Sequence, residues 1–114
     1  MSYPVMTRNL EASSTSTGTL TFTQQSVGFS QDAGVEAIYV ADTPLRSFHV
    51  QIGGAATVVI EGNNWDPDTA GDWYSIGSTT TSTKINSEEQ AKFVRARVSA
   101  YTSGDVDVKF VSFG

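Results

Sequence analysis

Apolar residues recur at every second position through most of this chain, with turn residues at intervals of about ten. That pattern admits short antiparallel strands and little else. It is clearest at the C-terminal end. Across 93–101, Val94, Ala96, Val98 and Ala100 share one face, and Phe93, Arg95, Arg97, Ser99 and Tyr101 share the other. Across 105–113, Val106, Val108 and Phe110 oppose Asp105, Asp107 and Lys109. Across 45–52, Phe48, Val50 and Ile52 oppose Ser47, His49 and Gln51. Further strands are predicted at 18–24 around Leu20 and Phe22, at 35–41, at 57–61 around Val58 and Ile60, at 72–77, and near 84–86. Asp42-Thr43-Pro44, Gly53-Gly54 and the Asn-, Asp- and Gly-rich stretch 63–71 read as turns and loops. Ser87, with Gln90 at capping-box spacing, predicts one helical turn.

About eight short strands in a chain of 114 residues make one all-β domain, an antiparallel β-sandwich of jelly-roll or immunoglobulin-like type. Placing the apolar faces of 93–101 and 105–113 on one side requires an odd loop between them. Thr102-Ser103-Gly104 meets that condition and predicts a hairpin with Tyr101 opposite Asp105, Ser99 opposite Asp107 and Arg97 opposite Lys109. Residues 1–17 show no sustained period, and Ser13–Thr17 is polar throughout. They read as an extended N-terminal arm preceding a sandwich domain at 18–114. Tyr3, Pro4, Val5, Met6 and Leu10 are apolar residues that a solvated tail does not need, so the segment reads either as a frayed terminus or as an arm that orders against a neighbouring subunit.

Composition removes several classes of function. Cysteine is absent, which excludes disulfides, thiolate metal sites and cysteine nucleophiles. The net charge is -5 and the seven Lys and Arg residues form no run. That is the opposite of the basic field a nucleic-acid-binding surface needs. No apolar stretch approaches the roughly 20 residues of a membrane-spanning helix. Met1–Leu10 lacks the apolar core of a secretory signal.

The residues capable of chemistry do not assemble into a motif. His49, the sole histidine, falls on the polar face of its strand with no nucleophile elbow beside it, and reads as a surface or interface residue. Asp66, Asp68 and Asp72 follow Glu61 closely, but paired carboxylates hydrolyse glycosides only across a cleft. Asp66–Asp72 also has the outline of a calcium loop; Ala70 stands where a ligand belongs, and the bidentate position is Gly77. The loop therefore reads as a turn, and neither catalytic residue, metal nor cofactor is expected. Trp65, Trp73 and Tyr74 flank it. Trp73 and Ile76 are out of phase, so at least one of Trp73 and Tyr74 faces the core, and Trp65 is the candidate platform for a sugar ring.

The run Phe48–Gly62, followed by Trp65, Trp73-Tyr74-Ser75-Ile76-Gly77 and Val94-Arg95-Ala96-Arg97-Val98-Ser99, resembles small virion proteins of tailed bacteriophages. The shared pattern is an alternating strand ending in an acidic-Gly-Asn turn, a tryptophan-bearing hairpin, a Ser/Thr-rich segment, a V-R-x-x-V strand and a Thr-Ser-Gly turn. It covers about the C-terminal two-thirds of the chain. The resemblance is to capsid decoration (cement) proteins and to domains of tail and fibre proteins. It implies a non-enzymatic protein made in the host cytoplasm and carried on the outer capsid surface. Its partners would be the major capsid protein and further copies of itself, with a trimer favoured, and neither nucleic acid nor membrane. Residues expected at such contacts are Tyr3, Val5, Met6 and Arg8 in the arm, with Arg95, Arg97 and Tyr101 on the outward strand face, since arginine and tyrosine are enriched in interfaces. The alternative is a carbohydrate-binding or host-recognition module of a tail or fibre, acting through Trp65.

Overall fold

The computed structural model describes residues 6–24, 34–41, 43, 45–87 and 90–113. They form two antiparallel sheets packed face to face. The strands are β1 (Met6–Ser14), β2 (Gly18–Thr19), β3 (Thr23–Gln24), β4 (Ile38–Tyr39), β5 (Leu45–Ile52), β6 (Ala55–Asn63), β7 (Tyr74–Thr79), β8 (Thr83–Ser87), β9 (Phe93–Ser103) and β10 (Val106–Phe113). One sheet has the order β3-β1-β10-β5-β8. The other has the order β2-β9-β6-β7, with β4 also paired to β9.

The two orders repeat one pattern. The pairs β1/β10, β10/β5 and β5/β8 in the first sheet sit opposite β2/β9, β9/β6 and β6/β7 in the second. Four bent chain segments, β1-β2, β10-β9, β5-β6 and β8-β7, therefore lie side by side, and each turns a corner from one sheet into the other. That is a long antiparallel ribbon folded over once, the jelly-roll arrangement. The immunoglobulin-like alternative is set aside. Ten strands are described rather than eight because β1 forms where an arm was expected and because the expected strand 18–24 splits: β2 pairs with β9 in one sheet and β3 with β1 in the other.

Three expectations are corrected. The link at Thr102-Ser103-Gly104 is not a hairpin. β9 pairs with β6 and β10 with β5 and β1, so Arg97 lies opposite Val59 and Lys109 lies between His49 and Glu11. An odd loop puts both apolar faces on one side whether the strands pair edge to edge or stack across a core, so parity alone could not distinguish hairpin from corner. The corner is held by its neighbour: the Gly53 N–H donates to the Asp105 carbonyl at 2.8 Å. Gly104 adopts φ 86°, and a Cβ there would collide with the backbone of Gly54. Glycine is required where two corners stack this closely.

The second correction concerns the arm. Residues 6–14 are strand β1, paired along its length with β10. Leu10 and Ala12 are buried in the core. Leu10 and Ala12 alternate with polar Asn9, Glu11 and Ser13, a stretch too short to stand out from the polar run that follows. Ser87, expected to start a helical turn, instead ends β8; residues 88–89 of that turn lie outside the described residues.

Between the sheets lie Phe22, Phe48 and Phe110, with ring centroids 6.2 and 4.8 Å apart on either side of Phe48. Val50, Val58, Ile60, Val94, Val98, Val106 and Val108 surround them. Each such side chain contributes roughly 1.5–3 kcal/mol by leaving water. At the end of the sandwich remote from the corners, Arg46 points inward and is 6% exposed. It donates from Nε to the Thr43 carbonyl at 2.7 Å and from Nη2 to the Val40 and Ala91 carbonyls at 3.1 and 3.4 Å. Burial draws its pKa below the ordinary arginine value. It ties the chain after β4 to the chain before β9.

Candidate functional site

The outward face of the β2-β9-β6-β7 sheet carries the densest polar constellation among the described residues. Outward alternation on β6 places Glu61 beside Arg95 of β9, its register partner, and one step from Arg97, which pairs with Val59. The Glu61 carboxylate accepts from Arg95 Nε at 2.9 Å through Oε1, and from Arg97 Nε and Nη2 at 3.2 and 3.3 Å through Oε1 and Oε2. Glu61 is only 8% exposed. Desolvation pushes its pKa up, but the bonds from Arg97 and Arg95 outweigh it, and the pKa falls below the usual glutamate value. Two arginines share one carboxylate, so the cluster carries one uncompensated positive charge.

Loop 63–73 then folds over this face. Its geometry follows from its Asn and Asp residues, whose short side chains bond to nearby backbone. Buried Asn63 donates from Nδ2 to the Asp66 carbonyl at 2.8 Å and accepts from the Trp65 N–H at 2.7 Å. The Asp66 carboxylate accepts from the Asp68 N–H and the Thr69 hydroxyl, each at 2.9 Å; those two bonds hold its pKa low. A single 3₁₀ turn at Ala70–Asp72 follows. Trp73 donates from its indole N–H to the Pro67 carbonyl at 3.1 Å and stacks on Arg95, whose Cζ lies 4.1 Å from the ring centre. Tyr74 turns the other way, over Gly62 beside Ile76, and donates to the Gln90 carbonyl at 3.1 Å. The out-of-phase pair thus resolves with Tyr74 inward and Trp73 outward.

The loop leaves Trp65 at its tip, 80% exposed. Beside the stacked pair it bounds a cleft of about 290 Å³, where the chain between the Phe22–Val35 bridge and β4 meets Pro67, Asp68, Trp73 and Arg95.

The expected contact residues separate accordingly. Arg95 and Arg97 stand on the outward face together, with side chains 18% and 37% exposed. Tyr101 does not join them. The β6–β9 register shifts between Thr57 and Val58 and again between Ala55 and Ala56. Each bulge adds a residue to β9 and reverses the parity beyond it. Ala100 is therefore exposed, while Tyr101 packs against the core rim and donates to the Gly104 carbonyl at 2.9 Å. Met6 and Arg8 fall in β1 opposite Phe113 and Ser112. Tyr3 and Val5 lie outside the described residues. His49 is exposed between Lys84 and Lys109 in the other sheet, far in the fold from Glu61 and the aspartate loop. Among the described residues, no cluster of His, Asp and Glu is placed to hold a metal ion.

Sequence reading missed the joining of Glu61 to Arg95 and Arg97. The three are 34 and 36 positions apart, and only the β6–β9 register brings them together. The one local signal was that Glu61 continues the outward phase of Thr57 and Val59. No family model, no curated protein and no solved structure matches the chain; the class its fold defines is an all-β jelly roll.

Proposed function

We propose that this chain is a non-enzymatic structural protein of a tailed-phage virion, a capsid decoration protein that binds the major-capsid lattice from outside and stabilises the shell. The observation that supports a contact role is Trp65, held 80% exposed on a loop braced by Asn63 and Asp66. Tryptophan is over-represented among the residues that dominate interface energetics, and a pre-ordered loop reduces the entropy lost on docking. Binding the assembled lattice but not free subunits stabilises the shell by mass action. Self-association, as a trimer in this reading, would multiply the contacts.

The test is co-sedimentation with expanded and unexpanded capsids, with the capsid melting temperature as second readout. Binding and raised melting are expected, both lost in Trp65→Ala while that variant's own melting is unchanged. Absence of binding to either capsid form overturns the reading. Because Leu10 belongs to the core, a truncation testing the N-terminal contact must stop short of β1 and remove residues 1–5 only.

The second reading, a carbohydrate-binding or host-recognition module of a tail or fibre, is favoured by the cleft between loop 63–73 and β9. Jelly rolls serve lectins as well as capsids, and the fold alone does not choose between them. Polysaccharide binding without capsid binding selects this alternative.

A further inference from the structure

We infer that the cleft beside Arg95 and Trp73 is a binding site for a neutral pyranoside, the ring of a surface glycan. The inference rests on the recognition reading for its ligand class, but it moves the site away from the Trp65 tip.

Arg95 holds unused donors. Arg95 engages Glu61 through Nε alone, and its plane is fixed by stacking on Trp73. Its two Nη groups make no hydrogen bond to any described residue, although the side chain is only 18% exposed. A guanidinium oriented by an ion pair and an aromatic ring, with two donor groups left over beside a cleft, is pre-organised for an oxygen acceptor.

The surroundings select which acceptor. Glu36 and Asp68 are exposed and also line the cleft. With Glu61 they oppose the charges of Arg95 and Arg97, three negative against two positive. A carboxylate or phosphate ligand would meet Glu36 and Asp68, and a cation would offer the Arg95 donors no acceptor. A hydroxyl both donates and accepts, so adjacent ring hydroxyls can accept from Arg95 while donating to Asp68 or Glu36 without adding charge. Ala37, Pro67 and the Trp73 ring supply apolar lining for the C–H face of a sugar. The volume of about 290 Å³ lies just below the usual range for drug-sized ligands, suited to a single sugar ring with its chain extending into solvent. Both residues that would accept from the ligand are exposed, so replacing them is expected to leave the fold intact. The Asp68 side chain makes no hydrogen bond to another described residue, and the loop contact at that position is through its backbone N–H.

The experiment is saturation-transfer and indole N–H NMR on the intact protein, with methyl glycosides of glucose, galactose, N-acetylglucosamine and rhamnose at millimolar concentration. Methyl glucuronide is the acidic control. At least one neutral glycoside is expected to bind and to shift the Trp73 indole signal more than that of Trp65. Asp68→Asn and Glu36→Gln should each weaken it by about tenfold with unchanged melting, and Trp65→Ala should leave it intact. If glycosides bind but only Trp65→Ala abolishes binding, the cleft assignment is overturned and the recognition reading survives. If the glucuronide binds more tightly than every neutral glycoside, the ligand class is wrong. If none binds, and longer polysaccharide does not bind either, cleft and recognition reading fall together.

Discussion

Replacing Glu61 by Gln tests the ion cluster that organises the outer face, and its effect on stability can be worked from the geometry. The carboxylate accepts three bonds from two guanidinium groups at 2.9–3.3 Å and is 8% exposed. Breaking a fully buried pair by removing one partner costs about 3–5 kcal/mol, because the other charge is left stranded. Here the arginine side chains are 18% and 37% exposed, so water takes up part of the loss, and the amide oxygen of Gln retains one acceptor. The expected cost is about 2 kcal/mol, equivalent to a fall in Tm of about 8 °C for a domain of this size. The sign with pH follows from the depressed pKa of Glu61. A carboxylate whose folded pKa lies below its unfolded value contributes stability above the unfolded value, about 4.3. That contribution is lost as pH falls through the folded pKa. The gap between wild type and Glu61→Gln should therefore be constant at neutral pH and close as the pH drops below about 4. Urea denaturation followed by tryptophan fluorescence, in which stacked Trp73 is the reporting ring, measures it at each pH. A gap that persists undiminished in acid would refute the reasoning, since the residue would then act through packing rather than charge.

Other consequences are as definite. Phe48→Ala removes the middle ring of the Phe22–Phe48–Phe110 cluster and should cost about 3–5 kcal/mol, read as a lowered urea midpoint or as failure to fold. Gly104→Ala should prevent folding, because the added Cβ strikes the Gly54 backbone. Gly18→Ala, with φ 130° but open space around the Cβ, should cost only about 1–3 kcal/mol of backbone strain, so thermal melting of the two variants separates collision from strain. Trp65→Ala should change Tm by no more than the equivalent of about 0.5 kcal/mol, since an 80% exposed ring contributes little to the fold; a larger fall would show that the ring packs in the folded protein.

Local chemistry determined the strands. Period-two alternation at Leu45–Ile52, Phe93–Val98 and Val106–Phe110 was readable because each strand buries one face, and the inward set it named is the core that forms. The turn chemistry of Asn63 and Asp66 was also local, and it folded the loop as short Asx side chains do. What the strands paired with was not local. Whether Thr102-Ser103-Gly104 closes a hairpin or turns a corner depends on β5-β6 lying alongside, and both outcomes satisfy the same parity. The bulges that turn Tyr101 inward arise where β9 bends against β6, and the strand character of residues 6–14 depends on β10 being there to pair. The candidate site is the extreme case: Glu61, Arg95, Trp73 and Asp68 come from two strands and a loop, and their meeting is set by sheet register, a long-range quantity that no window of the chain contains.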